Sequence, residues 1–185
     1  MKQPVKTKVI VLLAGLFIAC ISCNKGDNSG KTITKCVTCL NGGQCINDTC
    51  RCPAGYTGVG CETRFIDKFL GEWLVTEQGN ASTGTQTYEI EINNIDSVTT
   101  LNINGLSDNF AISVLANVVG DSIYIATQTV DGNTYVGVGY IHAGGTLGPN
   151  GEITMRYQVT NTSTGVVNDF GYSSPNDNSS QWIKE

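Results

Sequence analysis

The chain has 185 residues and a formal net charge of −5, so it is long enough for one or two small domains. Its acidic charge argues against nucleic acid as a partner, because the phosphate backbone would repel it. Six of its eight cysteines lie between residues 36 and 61, and none follows Cys61. The chain therefore divides into a cysteine-rich first part and a longer second part that must fold on its hydrophobic core alone.

Residues 1–22 predict export from the cytoplasm. Three lysines in the first eight residues are followed by an apolar run over residues 9–19, which is typical of a secretory signal peptide. The run is shorter than the roughly 20 apolar residues that cross a bilayer. An uncleaved membrane anchor is the alternative that this run leaves open.

Cys20 and Cys23 lie where a signal peptide would be cut, and this arrangement resembles the signal of bacterial lipoproteins. In that family the cysteine after the cut is acylated and becomes the mature N-terminus. We favour Cys23, because the sequence turns polar directly after it and because cutting there removes Cys20 and leaves no odd thiol. Cys20 is the alternative.

The lipoprotein resemblance also implies a location. It places the protein in the cell envelope of a Gram-negative bacterium, on the outer membrane or the cell surface, attached to the membrane through an N-terminal lipid anchor. Residues 23–35 are polar and contain glycine, which predicts a flexible tether between the lipid and the rest of the chain.

The cysteines of residues 36–61 predict disulfides, because an exported chain folds under oxidising conditions. Cys36 and Cys39 also have the spacing of half a zinc site. The segment contains no histidine, however, and the CRC run at residues 50–52 is a poor second half of such a site. Six cysteines can pair in many ways, and their spacing alone does not choose among them.

Three motifs of this segment resemble an EGF-like module that covers residues 36–62: NGGQC at residues 41–45, CRC at 50–52 and GYTGVGC at 55–61. The resemblance implies the family pairing Cys36–Cys45, Cys39–Cys50 and Cys52–Cys61. Members that bind calcium carry acidic residues just before the first cysteine. Here that stretch reads GKTITK, so we expect no calcium. A plain EGF-like module implies a spacer or a protein-contact surface without catalytic activity.

Residues 65–185 predict an all-β domain. Apolar residues between positions 65 and 70 indicate one short helical turn, and period-2 alternation of β-branched and aromatic residues dominates after it. The eight predicted strands begin at Trp73, Thr87, Val98, Phe110, Ser122, Thr134, Ile153 and Val166. Their spacing of about ten residues favours an antiparallel β-meander that forms a barrel or a sandwich. We expect Trp182 and Ile183, near the end of the chain, to pack back onto this domain.

The FLGEW stretch at residues 69–73 resembles the start of a lipocalin-like barrel, in which a short helical turn precedes a Gly-x-Trp on the first strand. The resemblance implies a carrier of a small apolar ligand, provided that the barrel encloses a cavity. We place Trp73 in the core. Gly137 and Gly139 lie inside a predicted strand, where glycine indicates bending or close packing and not a phosphate loop.

Candidate catalytic residues are few. Glu89 and Glu91 lie on one face of one predicted strand, about 6.8 Å apart, which is within the range of a glycosidase carboxylate pair. Their alternation with apolar residues predicts instead that both face solvent. His142 is the only histidine, and it lies at a strand end without a serine or cysteine partner of known geometry.

The charge of residues 65–185 narrows the partners further. Thirteen carboxylates stand against Lys68, Arg156 and Lys184, a net charge of −10, which disfavours nucleic acid and anionic lipid. The sequence predicts a lipid-anchored protein with a non-enzymatic binding or adhesion role toward a protein or a glycan, without a cofactor or metal. The alternatives are a lipocalin-like carrier of a small apolar ligand and a carboxylate-dependent hydrolase.

Overall fold

The computed structural model describes residues 36, 38–142, 150–174 and 178–185 of the chain. The predicted signal peptide at residues 1–22, the tether at 23–35 and the lipidation candidates Cys20 and Cys23 lie outside the described residues. In the described ranges, no helix is both long enough and apolar enough to span a bilayer.

The cysteine-rich part consists of two short hairpins and three disulfides. Strands β1 (Gln44–Ile46) and β2 (Thr49–Arg51) pair antiparallel, as do β3 (Tyr56–Thr57) and β4 (Thr63–Arg64). The disulfides join Cys36 to Cys45, Cys39 to Cys50 and Cys52 to Cys61, the pairs that the EGF-like resemblance implies. Three of the sulfur atoms lie within 4.8 Å of one another, but all three belong to disulfides and are therefore not the thiolates that a zinc ion needs.

We expect loss of the Cys52–Cys61 disulfide to destabilise the cysteine-rich part by about 2–5 kcal/mol, because so small a unit buries too little apolar surface to fold without disulfides. Limited proteolysis of a double variant, Cys52→Ser with Cys61→Ser, should cut residues 38–62 rapidly. The β-rich circular dichroism spectrum should survive, since residues 65–185 contain no cysteine. Simultaneous loss of that spectrum would contradict the prediction.

The described part of residues 65–185 forms a closed antiparallel barrel of eight strands. A 3-10 helix (Phe65–Lys68) leads into it. The barrel strands are β5 (Gly71–Glu77), β6 (Gln86–Asn94), β7 (Thr100–Gly105), β8 (Asn109–Val119), β9 (Ser122–Val130), β10 (Asn133–His142), β11 (Glu152–Asn161) and β13 (Ser180–Lys184). Consecutive strands pair from β5 through β11, and β13 pairs with both β11 and β5 to close the ring. The all-β prediction is confirmed, and the barrel is the correct choice over the sandwich.

The eighth barrel strand is not the one that the sequence predicts. The segment that begins at Val166 forms β12 (Val167–Phe170), which pairs with the second half of β11. The first half of the same β11 edge pairs with β13, whose other edge pairs with β5. β13 closes the barrel because its Trp182 side chain is fully buried in the core and its backbone bridges both neighbours. The end of the chain therefore packs onto the domain as expected, but as a barrel strand.

Large side chains fill the interior of the barrel. The most deeply buried include Trp73, Trp182, Tyr135, Tyr157, Ile90, Ile103 and Met155. Two glycines of β10 make room for them. A Cβ atom at Gly137 would lie 2.5 Å from the Cβ of Tyr157, and one at Gly139 would lie 2.6 Å from the Sδ of Met155. These glycines therefore serve close packing, one of the two roles expected for them.

The two ends of the barrel differ. The 3-10 helix covers one end, called here the helix end, and buries Ile66 in the core. The cysteine-rich part contacts the same end, where the Phe65 N–H donates to the Gly55 carbonyl at 2.9 Å and Gly55 packs against Val98 of the β6–β7 loop. The opposite end, called the distal end, holds Glu77 and lies across the barrel from the cysteine-rich part.

Candidate functional site at the distal end of the barrel

A buried carboxylate, Glu77, marks the distal end of the barrel. It is the last residue of β5, and its side chain points inward because Trp73, Val75 and Glu77 alternate on the core face of that strand. Only 3% of Glu77 is exposed to solvent. A glutamate is almost never buried to this degree unless its oxygen atoms have hydrogen-bond partners.

Three hydroxyl groups donate hydrogen bonds to Glu77. The Tyr88 hydroxyl reaches Oε1 at 2.6 Å, and the Tyr157 hydroxyl reaches Oε1 at 2.8 Å and Oε2 at 3.0 Å. The Ser180 hydroxyl reaches Oε2 at 2.6 Å. These four residues, the Glu77 cluster, come from β5, β6, β11 and β13, so closure of the barrel is what assembles them.

A second layer of donors orients two of these hydroxyl groups. The Ser107 N–H donates to Tyr88 Oη at 3.0 Å, and the Trp182 Nε1–H donates to Ser180 Oγ at 2.7 Å. Both hydroxyl oxygens therefore accept an N–H bond, which leaves their own protons for Glu77. This direction matches an ionised carboxylate, which accepts hydrogen bonds and donates none.

Burial and hydrogen bonding have opposite effects on the pKa of Glu77. Burial raises the pKa of Glu77 above its ordinary value of 4.5, while the hydroxyl bonds from Ser180, Tyr88 and Tyr157 act to lower it. Burial also raises the pKa values of both tyrosines, so their phenol groups remain donors. Within the ranges that the structure describes, no lysine or arginine pairs with Glu77. Hydroxyl dipoles are therefore what stabilises its charge, and the cluster forms a hydrogen-bonded plug.

β12 covers the Glu77 cluster on one side. Its Phe170 is buried and stacks on Tyr157, with ring centroids 4.4 Å apart and ring planes within 7° of parallel. Stacking at this distance adds to the burial of both rings. The strand that lies outside the barrel ring therefore helps to seal the distal end.

A polar groove of about 420 Å³ lies beside β12. Its described lining consists of Asn80, Gln158, Asp169, Ser173, Ser174 and Asn178, together with Val167 and Gly171. The backbone of Gly171 forms a β-bridge with Tyr157 of the Glu77 cluster. The groove and the Glu77 cluster are therefore neighbours at the distal end, with β12 between them.

Glu89 and Glu91 lie on the outer wall of β6, and both are exposed as predicted. Glu72 of β5 lies directly opposite Glu91 in the strand register. These three carboxylates and the exposed Phe110 line a groove on the barrel surface. The structure thus brings Glu89 and Glu91 into an acidic patch on the outside of the barrel, away from its interior.

We expect Glu89→Gln and Glu91→Gln each to change the free energy of unfolding by less than about 0.5 kcal/mol, because substitutions of exposed side chains have small effects. Partner binding should also remain nearly unchanged. Urea denaturation of both single variants measures the first expectation. A loss of more than about 1 kcal/mol would show that these carboxylates make stabilising contacts.

His142 ends β10, where its exposed ring lies 6.0 Å from that of Tyr140. It belongs to the helix end of the barrel, so the structure does not bring it together with the Glu77 cluster.

The sequence contained a signal for Glu77, because this carboxylate alternates with outward residues in the same way as Trp73 and Val75 and so lies on the inward face of β5. Nothing local in the sequence identified its hydroxyl partners.

Comparisons with known proteins place no further constraint on the site. No protein-family model and no curated protein matches the sequence. Among solved structures, the chain is similar to a structural-genomics protein of unknown function from Bacteroides ovatus, with 12% sequence identity and a TM-score of 0.40. The match covers 60% of this chain and 40% of that protein. A likeness at this level carries no argument about function.

Proposed function

We propose that this protein is a lipid-anchored component of the cell envelope that binds a partner without catalysis. Residues 1–22 are the signal peptide, Cys23 carries the lipid, and residues 36–62 are an EGF-like module that joins the tether to the barrel. The three disulfides support export, because disulfides form and persist in oxidising compartments. The partner is a protein or a glycan at the outer membrane or cell surface.

The main support for a surface-binding role is the filled interior of the barrel. A carrier of a small apolar molecule needs a cavity lined mainly by apolar side chains. Trp73, Tyr135 and Trp182 occupy the interior instead, and the Glu77 cluster closes the distal end. The filled interior favours a partner on the outer surface over a ligand held inside.

The outer wall offers apolar surface for such a partner. Tyr124 of β9 lies opposite Asn117 of β8 and Val138 of β10, and Val119 and Tyr140 are the next residues on the same outer face. Val119 is 68% exposed and Tyr140 is 54% exposed. Exposed apolar patches mark interaction sites, and tyrosine is enriched in protein interfaces.

The environments of the carboxylates support a non-catalytic role. Two carboxylates can divide the acid and base roles only if their surroundings push their pKa values apart. Glu89 and Glu91 share one exposed wall, and Glu77 is buried where its partners are hydroxyl groups. Neither arrangement resembles the paired carboxylates of a hydrolase cleft.

Metabolic labelling with an alkynyl palmitate analogue tests the anchor. The wild-type protein and Cys20→Ala should carry the label, and Cys23→Ala should not. Label that persists in Cys23→Ala but is lost from Cys20→Ala would move the lipid to Cys20. A wild-type protein without label would remove the lipid anchor from the proposal.

Photo-crosslinking in living cells tests the binding role. A photoreactive phenylalanine analogue at Tyr124 or Tyr172, both exposed tyrosines, should yield a defined adduct. The same analogue at Thr87, an exposed position of β6, is the control and should yield none. If neither Tyr124 nor Tyr172 yielded an adduct, the result would contradict a partner on the barrel surface.

A further inference from the structure

We infer that the polar groove beside β12 is the site at which the barrel binds a neutral glycan. The inference rests on the proposed binding function and names its ligand class. The groove has a volume of about 420 Å³, which falls within the size range of small-molecule and cofactor sites in proteins. Its position at the distal end keeps it clear of the cysteine-rich part, which contacts the helix end.

Hydrogen bonds fix the wall of the groove that Asn80 and Asp169 form before a ligand arrives. The Asn80 N–H donates to the Asp169 carbonyl at 3.1 Å, and the Asp169 N–H donates to Asn80 Oδ1 at 2.8 Å. The Asn168 carboxamide accepts from the Ala81 N–H at 3.0 Å and donates to Ser82 Oγ at 3.1 Å. The loop after β5 is thereby tied to β12. A site that is already ordered loses little conformational entropy on binding.

Asp169 supplies a fixed carboxylate in the groove. The Tyr172 N–H donates to its Oδ1 at 2.8 Å, and the Ser173 N–H donates to its Oδ2 at 3.0 Å. Burial raises the pKa of Asp169, but hydrogen bonds from Ser173, Tyr172 and Gly171 outweigh that effect and hold the pKa below its ordinary value of 3.8. The carboxylate is therefore ionised at neutral pH and can accept further hydrogen bonds from a ligand.

Amide and hydroxyl groups complete the lining. The Oδ1 of Asn80 is occupied by the Asp169 N–H, which leaves the amide nitrogen of Asn80 to donate. Gln158 is half buried, and no described residue forms a hydrogen bond with its side chain. Its carboxamide therefore offers a ligand both a donor and an acceptor. Ser174 adds a hydroxyl that can do either.

This set of groups suits an uncharged, polyhydroxylated ligand. A sugar hydroxyl both donates and accepts hydrogen bonds, so it matches a mixture of amides, hydroxyls and a carboxylate. The lining that the structure describes contains no lysine, arginine or histidine, and Asp169 would repel a phosphate, sulfate or uronate.

A peptide fits the groove less well. Peptide recognition uses a free sheet edge, an apolar groove for side chains or a cluster of arginines. Val167 is the apolar side chain among the described lining residues, and the rest are polar or glycine. The outer edge of β12 is already bonded by Asn80 at Asp169, so the groove favours a glycan over a peptide.

Isothermal titration of the full lipidated protein in detergent with neutral hexasaccharides of glucose, mannose and xylose tests the inference. At least one should bind with a Kd below about 1 mM. Gln158→Ala should weaken that binding by about two- to tenfold, the effect of losing one well-made hydrogen bond. Ser174→Trp, which places a large side chain in the groove, should abolish binding while thermal unfolding stays unchanged. Gln86→Ala is the matched control, because Gln86 is an exposed glutamine at the distal end outside the groove.

The outcomes separate the inference from the proposed function. Binding that survives both Gln158→Ala and Ser174→Trp would overturn the assignment of the groove, and tighter binding of a polyuronate hexasaccharide would overturn the neutral ligand class. If no hexasaccharide bound and a protein adduct formed at Tyr172, the glycan inference would be wrong but the proposed binding role would stand. Cleavage of a bound hexasaccharide, detected by mass spectrometry, would preserve the site and contradict the non-catalytic proposal.

Discussion

Replacing Trp73 with alanine should lower the free energy of unfolding of the barrel by roughly 3–5 kcal/mol. The side chain is fully buried, its Nε1–H donates to the Phe69 carbonyl at 2.8 Å, and the Lys184 ammonium lies 5.5 Å from its ring centre. The substitution therefore leaves a cavity, removes a bond between β5 and the helix end, and removes a cation–π contact. Urea denaturation followed by circular dichroism measures the loss.

Trp73→Phe separates these contributions. Phenylalanine keeps an aromatic ring in the core but cannot donate a hydrogen bond to the Phe69 carbonyl. The free energy of unfolding of Trp73→Phe should therefore lie between those of wild type and Trp73→Ala. A loss of less than about 1.5 kcal/mol for Trp73→Ala would mean that the core collapses around the missing side chain. Such a result would contradict the tight packing seen at Gly137 and Gly139.

The core position of Trp73 could be predicted because the pattern around it repeats along the chain. Trp73 and Val75 alternate with outward residues on β5, as Tyr88, Ile90 and Ile92 do on β6. A strand with one buried face must alternate in this way, because its side chains point to opposite faces in turn. The sequence therefore predicted the all-β class and the first seven barrel strands.

The same pattern could not identify the strand that closes the barrel. On β13, the two fully buried residues are Ser180 and Trp182. Ser180 is polar, so the inward row of β13 does not look apolar in the sequence. Its burial makes sense only once its hydroxyl is seen to donate to Glu77, which lies 103 residues earlier in the chain. Pairing over such a distance depends on tertiary structure that a local pattern does not contain.

The Glu77 cluster was missed for a related reason. Alternation assigns a charged residue to the solvent face by default, and that assignment is right for Glu89 and Glu91. Glu77 differs because it occupies an inward position of the alternation, on the same core face of β5 as Trp73 and Val75. A carboxylate in that phase requires hydroxyl or amide partners across the barrel, and such partners cannot be chosen from the sequence when strand pairing is unknown.

The pH dependence of stability should reveal the buried charge of Glu77. Burial raises its pKa above the ordinary value of 4.5 that applies in the unfolded chain, so the folded state holds the proton more tightly. This contribution to the free energy of unfolding is complete below pH 4.5 and is lost as the pH rises through the folded pKa. The difference in stability between wild type and Glu77→Gln should decrease across that window. Glu89→Gln, which removes an exposed carboxylate from the neighbouring strand, is the matched control.

Removing the acceptor altogether should have a larger effect. Glu77→Ala should cost roughly 3–6 kcal/mol at neutral pH, because a cavity forms and the hydroxyls of Tyr88, Tyr157 and Ser180 lose their common acceptor. Glu77→Gln should cost less, about 1–2 kcal/mol, because the amide keeps one acceptor oxygen while its NH₂ group faces hydroxyls that must then turn. Urea denaturation distinguishes the two variants. If both variants lost less than about 1 kcal/mol of unfolding free energy, the three hydroxyls would have found other acceptors. Their hydrogen bonds to Glu77 would then not be what holds the distal ends of β5, β6, β11 and β13 together.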